Sequence, residues 1–285
     1  MATLKEVSMR LKSVQNIGKI TKSMKMIAST KVTRAQRNME VARVFGTAGT
    51  AVFKYTETVE PENGKVLAVA VSSDRGLCGG IHSSIAKAVK RYVAANPETQ
   101  VVVLGDKARN QIIREARSNM QVSFSGVAKG FPTWTESCMI ADEILQTGIE
   151  YDAVKVFYNK FKSVIAFDTT AVPVFTVAAL EASQSAPPPQ NRSKSHIHTF
   201  IAKLSAYEIG DSVLKNFEEF TFANTLFWTI SEGNASEMAA KRTAMENATK
   251  NADEMTAKLR LTYNRGRQAA ITNELIEIIT GASAM

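Results

Sequence analysis

The sequence predicts a Rossmann-like α/β domain set between two long terminal helices that pair as an antiparallel coiled-coil rod. Three observations lead there. All seven prolines, at 61, 97, 132, 173 and 187–189, lie in the middle of the chain. Apolar residues recur at helical spacing at both ends. Between the ends, short apolar runs alternate with helical stretches. Proline removes a backbone donor and clashes with the preceding turn, so each end is free to be one long helix and the middle is not. The expected divisions are 1–60, 61–205 and 206–285.

In the first segment Leu4, Val7, Leu11, Val14, Ile17, Ile20, Met24 and Ile27 step by threes and fours, as the seam of a coiled coil does. The stripe continues through the smaller Val32, Ala35, Met39 and Ala42, then Val52. About fifty helical residues would extend roughly 80 Å. The last segment, about 212–280, is rich in Ala, Met, Leu, Glu and Lys, all good helix formers. Gly233 and Gly266 cost it stability without ending it.

Charge separates the two ends. Residues 1–60 carry eleven Lys/Arg against four Asp/Glu, and residues 205–285 carry eight against eleven. Salt bridges between the helices, or to an acidic protein partner, are therefore expected. The whole chain of 285 residues has a formal charge of +8, which also suits nucleic acid or anionic lipid. A basic coiled-coil adaptor for nucleic acid is the competing reading. Against it, no aromatic residue occurs before Phe45, so neither base stacking nor interfacial anchoring is favoured.

In the middle, strands are expected over 66–73, 100–105, 121–127, 152–161 and 164–176, and helices over 81–95, 106–117 and 135–147. The first two strands are continuously apolar, as in a parallel sheet covered on both faces. The last two, meeting near Lys162-Ser163, suggest an antiparallel hairpin at one edge. Asp106 is placed to cap the helix that it opens. The polar, proline-rich stretch 181–195 reads as a loop.

Chemistry-bearing motifs are few. The turn at 72–80, Ser-Ser-Asp-Arg-Gly-Leu-Cys-Gly-Gly, lacks both phosphate-cradling glycine patterns and reads as a structural βα turn rather than a nucleotide site. Cys78 and Cys138 have no metal-ligand spacing and form no disulfide framework, which suits a reducing compartment. His196 and His198 sit in polar sequence without a carboxylate cluster. No catalytic constellation can be assembled, and no cofactor or metal is expected. No apolar run approaches the length that a membrane span needs, and no signal peptide is expected.

The C-terminus is unusual. Ile271, Leu275, Ile276, Ile278 and Ile279 spread around more than one face, and no charge follows Glu277. A helix apolar all round must be buried, either by a partner or by folding back onto the α/β domain.

The run Ile271-Thr272-Asn273-Glu274-Leu275-Ile276-Glu277-Ile278-Ile279-Thr280-Gly281-Ala282-Ser283-Ala284 resembles the signature of the gamma subunits of F-type ATP synthases. Arg242-Thr243-Ala244-Met245-Glu246-Asn247-Ala248, Tyr263-Asn264-Arg265-Gly266-Arg267-Gln268-Ala269, Lys19-Ile20-Thr21-Lys22-Ser23-Met24-Lys25-Met26 and Ser73-Asp74-Arg75-Gly76-Leu77-Cys78-Gly79 resemble the same family. The start, Ala2-Thr3-Leu4-Lys5-Glu6-Val7, is similar to fungal mitochondrial members after removal of a transit peptide.

The resemblance implies a non-catalytic rotor shaft inside a ring of alpha and beta subunits. Its apolar tip would turn in a hydrophobic sleeve, and its α/β foot would stand on the ring of c subunits beside delta and epsilon. The shaft itself would not span the membrane. It implies a peripheral place on the matrix side of the mitochondrial inner membrane. Arg267 and Gln268 match positions that hydrogen-bond a beta-subunit loop, and Met24 and Lys25 match a region facing the acidic beta lever. Tyr207 and Glu208 lie near the foot's ring contact.

Overall fold

A computed structural model describes residues 3–55, 64–176 and 211–283. Both expected boundaries, near 60 and near 205, lie outside the described residues, as do the 181–195 stretch and His196 and His198. The element order is α1 (Leu4–Tyr55), β1 (Val66–Val71), α2 (Ile81–Ala95), β2 (Gln100–Leu104), α3 (Asp106–Ile112), β3 (Met120–Phe124), α4 (Trp134–Gln146), β4 (Ala153–Phe161), β5 (Phe167–Val174) and α5 (Asp211–Ser283).

Two compact units are formed. One joins residues 1–30 with 241–285, and the other comprises 31–240. The second holds a five-stranded sheet of order β3-β2-β1-β4-β5, parallel except for the antiparallel β4–β5 hairpin. This is the Rossmann-like arrangement expected, with the hairpin at one edge.

The continuous apolar runs are explained by burial on both faces. On one face Leu67, Val69, Val71, Val102, Leu104, Val154 and Val156 pack with α4 and with Phe222, Leu226 and Ile230 of α5. On the other Ala68, Ala70, Val101 and Val103 meet Ile85, Val89 and Val93 of α2 and Ile112 of α3. Alternate residues of a strand point to opposite faces, so each strand serves both layers.

Near the sheet, α1 and α5 pack together through Val32, Ala35 and Met39 against Ala235 and Met238. At Gly46 a Cβ would lie 2.3 Å from the Trp228 ring, so only glycine permits this approach. An ion pair with a buried carboxylate adds to the contact: Arg43 Nη2 lies 2.7 Å from Glu232 Oε1, which also accepts from Phe161 N at 3.1 Å.

Helix α1 starts with a capping box. Thr3 N donates to Glu6 Oε2 at 2.9 Å, and Glu6 N donates to Thr3 Oγ1 at 3.3 Å. Asp106 is not the cap of α3. That place is taken by Gly105, and Asp106 is the first helical residue. Its N–H donates to Asp74 Oδ1 at 2.7 Å, so a neighbouring turn supplies the acceptor that local sequence was expected to provide. Helix α3 is also shorter than 106–117. The Ile112 carbonyl accepts from both Glu115 N and Ala116 N, tightening the chain out of the helix. Among the described residues no helix is long and apolar enough to cross a membrane.

Candidate partner-binding surface

In the unit formed by residues 1–30 and 241–285, the two helices run antiparallel. A Cβ at Gly266 would meet Leu4 at 3.7 Å, and one at Gly18 would meet Ala252 at 3.5 Å. Thr249 Oγ1 donates to Thr21 Oγ1 at 2.9 Å, and Lys25 Nζ lies 3.0 Å from Glu246 Oε1. Each pairing steps back along α5 as far as it steps forward along α1, to within one residue.

On α1 the positions 4, 7, 11, 14, 18, 21, 25 and 28 are all less than fully exposed, with 15, 24 and 29 beside them, and on α5 beyond residue 250 the less exposed positions are 252, 256, 259, 263, 266 and 270. Both series alternate threes and fours without a break, the 3.5-residue repeat of a left-handed coiled coil. This corrects the expected stripe at three positions and leaves it standing at Met24, Val32, Ala35, Met39 and Ala42. Ile17, Ile20 and Ile27 are 53%, 59% and 57% exposed, and the seam passes through Gly18, Thr21 and Ala28 instead. Small side chains let the backbones approach closely. The larger isoleucines, one position away, are turned outward with Met26.

The expected interhelix salt bridges shrink to one in this unit. Among the described residues only Lys25–Glu246 spans the seam, and the Lys25 ammonium holds the Glu246 carboxyl below its ordinary range. Arg10, Lys12, Lys19 and Lys22 are exposed. The acidic helix therefore does not absorb the basic charge of α1.

Arg267 and Gln268 are exposed and follow directly on Gly266, the last glycine to meet α1. Beyond them Ile271, Leu275, Ile276, Ile278 and Ile279 are all about half exposed or more, up to 68% at Ile278. Among the described residues nothing covers this tip, and it does not fold back within its own unit. The fold thus brings Arg267, Gln268 and the tip together on one stretch of helix. Met24 and Lys25 are both half-buried, and Lys25 lies opposite Glu246, about 30 Å away along α5. Tyr207 and Glu208 lie outside the described residues.

The turn at 72–80 proves to be a fastening within the α/β unit. Arg75 Nη2 donates to the carbonyls of Ala128, Lys129 and Gly130 at 2.8, 2.6 and 3.1 Å. Its Nη1 lies 3.8 Å from Glu237 Oε1 on α5. Asp74 accepts from Asp106 N with one oxygen and from Gly126 N with the other. His82 Nε2 donates to Arg75 O, and Nδ1 lies within hydrogen-bond distance of Ser72 Oγ, both at 2.9 Å. These polar groups are occupied with one another, which fits a structural turn. Among the described residues no group of three metal-ligating side chains occurs.

Burial pushes the His82 pKa down, partly offset by Glu237, with Lys107 lowering and Asp74 raising it further. A histidine harder to protonate when folded binds its proton first in the unfolded chain. Its contribution to stability is therefore intact above the unfolded value of about 6.5 and falls away as pH drops below it. Urea midpoints between pH 7.5 and 5.5 should fall less steeply for His82→Gln than for the native chain. Parallel pH profiles would exclude the linkage.

The chain matches the ATP synthase family model over residues 3–285. It belongs to the ATP synthase gamma-subunit family. It is 44% identical to the mitochondrial gamma subunit of Pichia angusta over the whole of both chains. The rat mitochondrial gamma subunit is 42% identical, again over the whole of both. The gamma subunit is structural and regulatory, not catalytic itself.

Among solved structures, a chain of the Euglena gracilis mitochondrial ATP synthase (OSCP, F1 and c-ring) superposes with a TM-score of 0.80. That match covers 99% of this chain and 94% of the other at 18% identity. A chain of the Tetrahymena thermophila central stalk and c-ring gives 0.64 over 80% of this chain and 99% of that one, at 24% identity. At such identities these likenesses speak for the fold alone. That fold is the long-helix and Rossmann-like architecture derived above.

Proposed function

We propose that the chain couples rotation of the membrane ring to the catalytic cycle through two contact sites on its coiled coil. The supporting observation is the run of exposed apolar residues at 271–279 on a helix that has passed the end of its partner. Such a surface has to be covered, and the alpha and beta subunits surrounding a shaft would cover it. Ile271, Leu275, Ile276, Ile278 and Ile279 then form an apolar bearing, non-directional and tolerant of turning.

Arg267 and Gln268, just before the bearing, hydrogen-bond one beta subunit at a time, and Met24 and Lys25 face an acidic part of another. A shaft shifts the conformation of its surroundings only where contacts differ between states. One asymmetric helix pair inside three alike sites supplies that difference. In this reading residues 61–205 form a foot on the c ring beside delta and epsilon, Tyr207 and Glu208 touch the ring, and the chain lies on the matrix side of the inner membrane.

Charge-assisted hydrogen bonds contribute about 1.5–3 kcal/mol. Arg267→Ala with Gln268→Leu should therefore leave assembly normal and reduce ATP synthesis by about tenfold or more. Lys258→Ala, an exposed charge outside the site, should change little. Near-normal synthesis by assembled double-mutant complexes would remove these residues from the mechanism.

A further inference from the structure

The sheet ends in β3, and among the described residues no strand pairs with its outer side. Phe124 turns its carbonyl inward, to Gly105 N at 2.8 Å. Successive residues of a strand point their backbone groups alternately, so Ser123 directs its N–H and C=O outward, away from β2. A groove of about 250 Å³ runs along this edge. It is lined by the consecutive residues Gln121, Val122 and Ser123 and walled by Ile113, Arg109 and Arg117. That consecutive residues of one strand line it, Met120 included, places the groove along the strand's open edge rather than over one face.

No acidic side chain lines the groove. Arg109 has Asp106 3.6 Å away, a loose pairing between half-exposed groups. Open edges invite indiscriminate pairing, and natural sheets guard them with bulges and charge. Here the register shifts between Val101 and Val102, which leaves Gln121 as an extra residue in β3. The arginines would meet each other if two copies paired through this edge, which disfavours self-association. A strand with carboxylates at alternate positions meets the opposite situation.

We propose that the outer edge of β3 is a docking site for an extended acidic segment of another protein, which adds to the sheet as a sixth strand. Main-chain bonds to Ser123 supply affinity, and Arg109 and Arg117 select for carboxylates, the mode of recognition known as β-augmentation.

The test uses the purified full chain and two nine-residue peptides, one alternating Val with Glu and one alternating Val with Lys. Amide hydrogen exchange at Ser123 should slow on adding the Glu peptide, and the Lys peptide should bind about tenfold or more weakly. Arg109→Glu with Arg117→Glu should reverse that preference. Ser123→Pro, which removes the outward N–H but no ladder bond to β2, should abolish protection while exchange in β1 stays slow. Unchanged exchange at Ser123 with the Glu peptide, equal binding of both peptides, or protection only elsewhere in the chain would overturn the proposal.

Discussion

Gly105→Ala should destabilise the α/β unit by about 3 kcal/mol or more. Gly105 has φ 95° and ψ 135°, a region that side-chain-bearing residues rarely occupy. A Cβ there would lie 2.6 Å from both N and Cα of Ser73 and 2.7 Å from its carbonyl carbon. These are main-chain atoms of the turn that fastens α3, so no side chain can swing aside to relieve the clash. Backbone strain and overpacking therefore act together. Both tryptophans, Trp134 and Trp228, pack against this unit's core, so their fluorescence in urea reports its unfolding directly. Gly130→Ala is the comparison, since a Cβ there meets nothing within 4 Å; it should stay within about 0.5 kcal/mol of the native chain. Similar midpoints for the two variants would show that the turn at 72–80 yields easily.

An effect of similar size is expected at Glu232. Its side chain is 1% exposed and carries Arg43 and the Phe161 N–H on one oxygen. Glu232→Ala removes the acceptor from both and leaves a cavity, a loss of about 3–5 kcal/mol. The Arg43 side chain is 40% exposed and can turn to water, which favours the lower end of that range. Glu232→Gln retains an oxygen for Phe161 N but weakens the bond to the guanidinium, and should cost less than the alanine. Arg43→Met strands the carboxylate and should be costly by itself. Arg43→Met combined with Glu232→Met should cost clearly less than the two single changes together, because neither charge is then left unpaired. Additive losses in this cycle would mean that the two side chains do not depend on each other.

The α/β unit was readable in sequence because burial on both faces makes its inner strands continuously apolar, as in Val66–Val71. The two terminal helices were equally readable from proline placement. The seam between them was harder. Large apolar residues carry the visible periodicity, yet Ile17, Ile20 and Ile27 point outward while Gly18, Thr21 and Ala28 make the contact. Close helix approach selects small residues, which weigh little in any apolar pattern. An unbroken 3.5-residue repeat from Leu4 to Ala28 is present in the sequence, and following it strictly would have found the seam. The capping pattern Thr3-x-x-Glu6 was also legible. The Arg75 and Asp74 contacts were not, because their acceptors and donors at 106 and 126–130 are distant in sequence.

The exposed side of α1 changes what the candidate surface contains. Met24 and Lys25, picked out by motif, are flanked by Ile20, Met26 and Ile27, all more than half exposed. A partner facing this helix meets apolar area as well as charge. Such a contact would persist in salt better than ion pairs alone, since screening weakens exposed charges and leaves apolar burial intact.

The helix pairing that ends near Ala270 also sets where this part of the molecule yields to a sideways load. Up to that point two helices share a close-packed seam, and bending one means sliding it against the other. Past it, a single helix resists with its own backbone hydrogen bonds alone. Stiffness therefore drops beyond Ala270, and deflection of a gripped tip would be concentrated in the first turns past the pair. Bending work done there is stored elastically and returned as the load is released, so the single helix from Ile271 onward behaves as a spring.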